Sequence, residues 1–153
     1  MASDSDLMKL YSARILALAA DAPDAPRLEN PGATVKKRSP LCGSTVTVDL
    51  NLTDGQISAY GQEVKACALG QAAAAVVASG IVGASASDVR EARDALHAML
   101  KTGSDAPSAP FDGLEALRPA QDYKNRHASI MLALDASVEA LDQIEATAQT
   151  QSA

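Results

Sequence analysis

The run Thr45-Val46-Thr47-Val48-Asp49-Leu50-Asn51-Leu52-Thr53-Asp54-Gly55 decides how the chain folds. Val46, Val48, Leu50 and Leu52 alternate with Thr45, Thr47, Asp49 and Asn51, the period-two pattern of a strand with one buried and one solvated face. Asp54-Gly55 is a turn pair, and Gln56 to Val64 returns as the partner strand. Gly61 inside that strand marks a bulge or a close approach by other backbone. Ala33 to Arg38 reads as a short edge strand, its Lys36, Lys37 and Arg38 discouraging edge-to-edge pairing.

Helical patterns surround this sheet. Leu7, Leu10, Tyr11, Ile15 and Leu18 follow helical spacing and end at Ala22-Pro23-Asp24-Ala25-Pro26, since paired prolines stop a helix. Asn30-Pro31-Gly32 is a turn. After Cys67 a stretch of small residues, Ala68 to Ala78, predicts a helix pressed closely on the sheet and ended by Ser79-Gly80 and Gly83. Ser85 and Ser87 offer caps for a helix to about Lys101 with Val89, Ala92, Leu96 and Leu100 on one face. Residues at about 103 to 122 read as an exposed loop with a single turn at Asp112 to Leu117. The last helix, about Lys124 to Ala148, carries the stripe Ile130, Leu134, Val138, Leu141, Ile144, and its Ala/Thr/Gln/Ser tail is expected to fray. Helix, short antiparallel sheet, then helices predicts one α+β domain over 1–153.

Bulk composition narrows the function. Thirteen basic against 19 acidic groups leave a formal charge of −6 over 153 residues, and aromatic residues make up 3% with no tryptophan. That excludes a generic nucleic-acid surface, which needs a basic field and stacking platforms. No segment approaches the length of a membrane span. The first residues carry Asp4 and Asp6 where a signal peptide has basic ones. The expected location is cytoplasmic, where the two cysteines stay reduced and serve more often as ligands or reactive groups than as a staple.

Those cysteines sit at structural corners. Cys42 lies in the loop Ser39-Pro40-Leu41-Cys42-Gly43-Ser44, just before the central hairpin. Pro40 fixes its backbone angle and Gly43 lets backbone approach whatever the thiol holds. Cys67 joins the second strand of the hairpin to the small-residue helix, and the free N–H groups of a helix start favour an anionic sulfur. A small buried hydrophobe is the other reading of Cys67. His127 falls on the apolar stripe of the last helix, three positions before Ile130 and seven before Leu134, as a ligand or as a core histidine. The carboxylates read as scattered on polar faces, with no acid–base pair among them.

The order of a Pro-x-Cys-Gly loop, a hairpin with an Asp-Gly turn, a cysteine opening an Ala-rich helix and Arg126-His127-Ala128-Ser129 at the last helix resembles the iron–sulfur cluster assembly scaffolds of the NifU N-terminal-domain, IscU and SufU type. The length of the 103–122 segment is most similar to the SufU branch. The resemblance implies a three-stranded antiparallel sheet with helices mainly on one face. It also implies a carrier rather than an enzyme: a scaffold that receives sulfur from a cysteine desulfurase and iron, holds a transient [2Fe-2S] cluster and passes it to acceptor proteins. Cys42 and Cys67 match the family's first two cysteine ligands. His127 stands at the third, and Ser44 takes the place of an aspartate as a weak fourth ligand. Two rival expectations accompany it: a zinc-dependent sulfur acceptor of the desulfurase, holding Zn²⁺ through the same residues, and a metal-free paralogue that keeps the fold as an interaction module.

Overall fold

Alternating apolar residues do form the predicted hairpin. The computed structural model describes residues 12–152, with side chains through Ala148. β1 (Ala33–Arg38), β2 (Thr45–Thr53) and β3 (Gln56–Lys65) make an antiparallel sheet in the order β1-β2-β3. Arg38 pairs with Thr45 across the loop of residues 39–44, and Thr45 pairs with Lys65, so this loop and the end of β3 lie at the same end of the sheet. Asp54 and Gly55 both take positive φ at the β2–β3 turn, as a tight hairpin connection requires. The register shifts between Asn51 and Leu52, close to that turn.

Helices cover one face of the sheet. α1 (Ala13–Ala20) starts at Ser12, whose hydroxyl accepts from Ile15 N. The earlier part of the expected N-terminal helix, with Leu7, Leu10 and Tyr11, lies outside the described residues. α2 (Ala68–Gly80) is the small-residue helix, buried from Ala72 to Val77. α3 (Ala86–Thr102) opens with a capping box between Ser85 and Asp88 and closes on Gly103 in the left-handed conformation. α4 (Lys124–Ser152) runs beneath the sheet and packs on β1, β2, α2 and α3. Because neighbours surround it, Ser129 through Leu134 are all buried in succession. Among the described residues no helix is long and apolar enough to cross a membrane.

Two expectations need correction. Residues 112–122 are not an exposed loop but a 3-10 helical segment (Asp112–Asp122) with Leu114, Leu117 and Ala120 in the core and Phe111 buried at its start. The spacing of three from Phe111 to Leu114 to Leu117 to Ala120 matches the three-residue turn of that helix and places them on one side. The solvated face of β2 is also not solvated at its centre: Thr47 is buried and Asp49 has no exposed surface.

The cause is the proline-containing connection from α1 to β1. Its Ala25 O accepts from Gln62 N at 2.8 Å, which lays residues 25–28 across the outer face of β3. Gly61 makes room, since a Cβ there would collide with the carbonyl of Pro26. Asp49, opposite Gly61 in the register, is satisfied under this strap by Arg27 Nε at 2.5 Å, Arg27 Nη2 at 3.2 Å, Leu28 N at 3.0 Å and Thr34 Oγ1 at 2.6 Å. Burial raises the carboxyl pKa, but these donors and the positive charge outweigh it and leave the carboxyl below its usual range.

Candidate functional site: two thiols joined by serine hydroxyls

The loop of residues 39–44 is held closed by its own backbone. Ser39 N donates to Ser44 O at 2.8 Å and Gly43 N to Ser39 O at 2.9 Å. Gly43 completes the turn at φ 72°, a conformation that glycine adopts without strain. Ser39 and Ser44 are therefore buried under the loop while Leu41, at 72% exposure, and Cys42 face outward. Cys67 is the N-cap of α2, half-buried, with extended backbone and no side-chain capping bond.

α4 supplies the group that joins them. Ser129 Oγ donates to Ser44 Oγ at 3.2 Å and lies 3.5 Å from Cys67 Sγ. Ser44 Oγ is in turn 3.2 Å from Cys42 Sγ, and the Cys42 thiol donates to Ser39 Oγ at 3.3 Å. A hydroxyl has one proton to give. With that of Ser129 spent on Ser44, its oxygen is left to accept from the Cys67 thiol, and the proton of Ser44 is left for the Cys42 sulfur. The network then runs in one direction, Cys67 to Ser129 to Ser44 to Cys42. The Ser39 and Ser44 hydroxyls, both free to donate once the sulfur is ionised, outweigh a small burial cost and lower the Cys42 thiol to about 7, with Ser44 N and Ser129 adding to the effect.

Gly70, in the first turn of α2, is what lets α4 come this close. A Cβ on Gly70 would lie 2.6 Å from Ser129 Oγ and 2.9 Å from Ala66 Cβ. The small-residue character of the start of α2 thus serves the site as well as the packing.

Of the residues predicted from sequence, the structure brings Cys42, Ser44 and Cys67 into one network and leaves His127 out of it. His127 is buried, with Nε2 2.8 Å from Ala120 O and 3.1 Å from Gln121 O. Carbonyls only accept, so Nε2 carries the proton and the ring's lone pair is on Nδ1. The ring ties the start of α4 to the last carbonyls of the 3-10 segment, the anchoring role of a core histidine. Among the described residues no group of three or more His, Cys, Asp or Glu side chains gathers in a metal-binding arrangement. Ser39 and Ser129 were missed as site residues. The signal for Ser129 was its place as the single polar residue opening the run Ser129-Ile130-Met131-Leu132-Ala133-Leu134.

A thiol pair on a loop and a helix start, floored by a hydroxyl from a central helix, sits here on the three-stranded α+β frame of the NifU-like class. Comparison with solved structures makes the class specific. The N-terminal part of a nitrogen-fixing NifU-like protein from Brucella abortus superposes with a TM-score of 0.89 at 43% sequence identity, over 92% of this chain and 97% of that one. The chain belongs to the NifU-like N-terminal-domain family. The same fold recurs, with a TM-score of 0.78 at 20% identity over 86% of this chain and 96% of the other, in an iron–sulfur cluster assembly scaffold protein for the SUF system from Fervidobacterium islandicum AW-1. No family model and no curated relative matches the chain.

Proposed function

We propose that this protein is an iron–sulfur cluster assembly scaffold. A cysteine desulfurase supplies sulfur, iron is added, and the transient [2Fe-2S] cluster is the cargo, held at Cys42 and Cys67 and then released to acceptor proteins. The observation that carries this reading is the convergence of the two thiols on one hydroxyl network, with Cys42 exposed and its thiol lowered to about 7. A thiolate at neutral pH is both the nucleophile that takes up sulfur and the soft donor that iron prefers. The family supports the reading, and a protein of the same fold is named as a scaffold for the SUF system. Reduced thiols are needed throughout, which suits the cytoplasm.

A resident zinc ion fits the donor set less well. Stable zinc sites take three or four thiolate, imidazole or carboxylate ligands, and here two thiols are joined by hydroxyls of Ser44 and Ser129 while His127 is engaged elsewhere. Hydroxyl oxygens hold a cation weakly, which suits cargo that must leave. The metal-free interaction module offers no use for a lowered, exposed thiol.

Iron, zinc and acid-labile sulfide analysis of the chain purified without oxygen and without chelators tests the reading. Iron and sulfide in equal amounts are expected. Stoichiometric zinc without sulfide would favour the zinc-dependent acceptor, and neither metal nor sulfide, before or after supplying both, would favour the module.

A further inference from the structure

We infer that Ser129 is the group through which α4 enters the cargo site, in the place that His127 does not reach, and that its hydroxyl sets how loosely the two thiols hold what they carry. The inference rests on the scaffold reading above and adds to it a third residue and a reason for release.

Three observations carry it. Ser129 is 1% exposed, yet its hydroxyl is directed at two site residues from separate elements, Ser44 of the loop and Cys67 at the start of α2. A serine in a helix interior commonly satisfies its hydroxyl on the carbonyl four residues back, and Ser137 of the same helix does so on Ala133 O at 2.7 Å. Ser129 bonds across to the site instead. The facing position on α2 is Gly70, where any Cβ would displace that hydroxyl. The opposing helix is thus shaped around the oxygen.

The chemical consequence follows from charge. Two thiolates and two neutral hydroxyls leave more of an iron centre's positive charge uncompensated than three thiolates would. Cysteine differs from serine by one atom, so Ser129→Cys would place a third soft donor where the oxygen now stands and turn a releasing site into a retaining one. His127→Cys would not, because that side chain faces the carbonyls of Ala120 and Gln121.

The test uses the full chain with cysteine placed singly at 127, 128 and 129. Mild oxidation with a diazene oxidant followed by peptide mapping reports position without any metal: two thiols become one disulfide and the diazene becomes a hydrazine. Ser129→Cys is expected to link to Cys67, and His127→Cys to give no link to it. Titration with Co²⁺ alone then reports ligation through the sulfur-to-cobalt charge-transfer band. Ser129→Cys is expected to raise Co²⁺ affinity by about tenfold or more and to strengthen the band per cobalt. His127→Ala should leave both at the level of the unaltered chain.

A link from position 127 or 128 in preference to 129, or a loss of cobalt binding in His127→Ala with no gain in Ser129→Cys, would overturn the inference. Anaerobic reconstitution with iron and sulfide separates it from the scaffold reading. A chain that links and binds cobalt as expected but forms no cluster keeps Ser129 in place and loses the scaffold.

Discussion

Ser129 Oγ stands 3.2 Å from Ser44 Oγ, although the two residues are 85 positions apart in sequence. This contact joins the central helix to the cysteine loop, and everything that distinguishes the site hangs from it. Cys42 leans on one side through Ser44 and Cys67 on the other through Ser129.

Cys42 should alkylate as a thiol with a midpoint near 7. Reaction with iodoacetamide, followed by mass spectrometry as a function of pH, should be fast above about 7 and fall below it as the thiolate is protonated. Ser44→Ala and Ser39→Ala should each move the midpoint upward, since each removes a hydroxyl that favours the anion. An unchanged midpoint in both variants would mean that the hydroxyls do not act on the sulfur.

Gly70→Ala should damage the site. The added Cβ meets Ser129 Oγ and Ala66 Cβ at under 3.0 Å, so a destabilisation of about 1–3 kcal/mol is expected, read by denaturant unfolding. The Cys67 environment should change with it, seen as altered Cys67 alkylation. Wild-type stability and reactivity would show that α2 and α4 do not approach as closely as this.

His127→Ala should lower stability and leave the thiols alone. Removing the ring takes a donor from Ala120 O, which keeps its bond from Tyr123 N, and takes from Gln121 O the His127 bond at the end of the 3-10 segment. Losing a partner for one such carbonyl costs about 1–3 kcal/mol. A variant of normal stability that fails to bind iron would restore the histidine as a ligand.

Acid should release the strap over the sheet. The Asp49 carboxyl is depressed in the fold, so its contribution is present above the ordinary aspartate value of about 3.9 and is lost as pH falls through the lower folded value. Asp49→Asn should therefore be less stable than wild type at pH 7, with the difference closing as pH falls below the ordinary aspartate value and through the lower folded one. Parallel stability curves through that acid range would mean that Arg27 and Thr34 do not hold the charge.

Much of this architecture was legible because it is local. The alternation Val46-Thr47-Val48-Asp49-Leu50 with the Asp54-Gly55 turn placed the hairpin, and Ser85 marked the start of α3. Alternation alone predicted that Asp49 faces water, and that failed because a segment some 20 residues upstream lies across the sheet. Only Gly61 hinted at it. The α4 site residue failed for a related reason. A stripe at i, i+3, i+7 selects His127 when a helix buries one face, but α4 is covered on several sides and Ser129 to Leu134 are buried together. Periodicity then no longer indicates which polar residue faces the thiols. That choice depends on how α2 and α4 pack, through contacts far apart in sequence such as Gly70 against Ser129.

The central claim is that Cys42 and Cys67 together hold an iron–sulfur cargo. Its most direct test is anaerobic reconstitution with ferrous iron and sulfide, read by visible absorbance and by iron and sulfide per chain, for the unaltered protein, Cys42→Ala, Cys67→Ala and the double variant. The expected result is a sulfide-to-iron absorbance band with matched iron and sulfide in the unaltered chain, lost on removal of either thiol. Bound iron and sulfide undiminished in the double variant, or none in the unaltered chain, would contradict it.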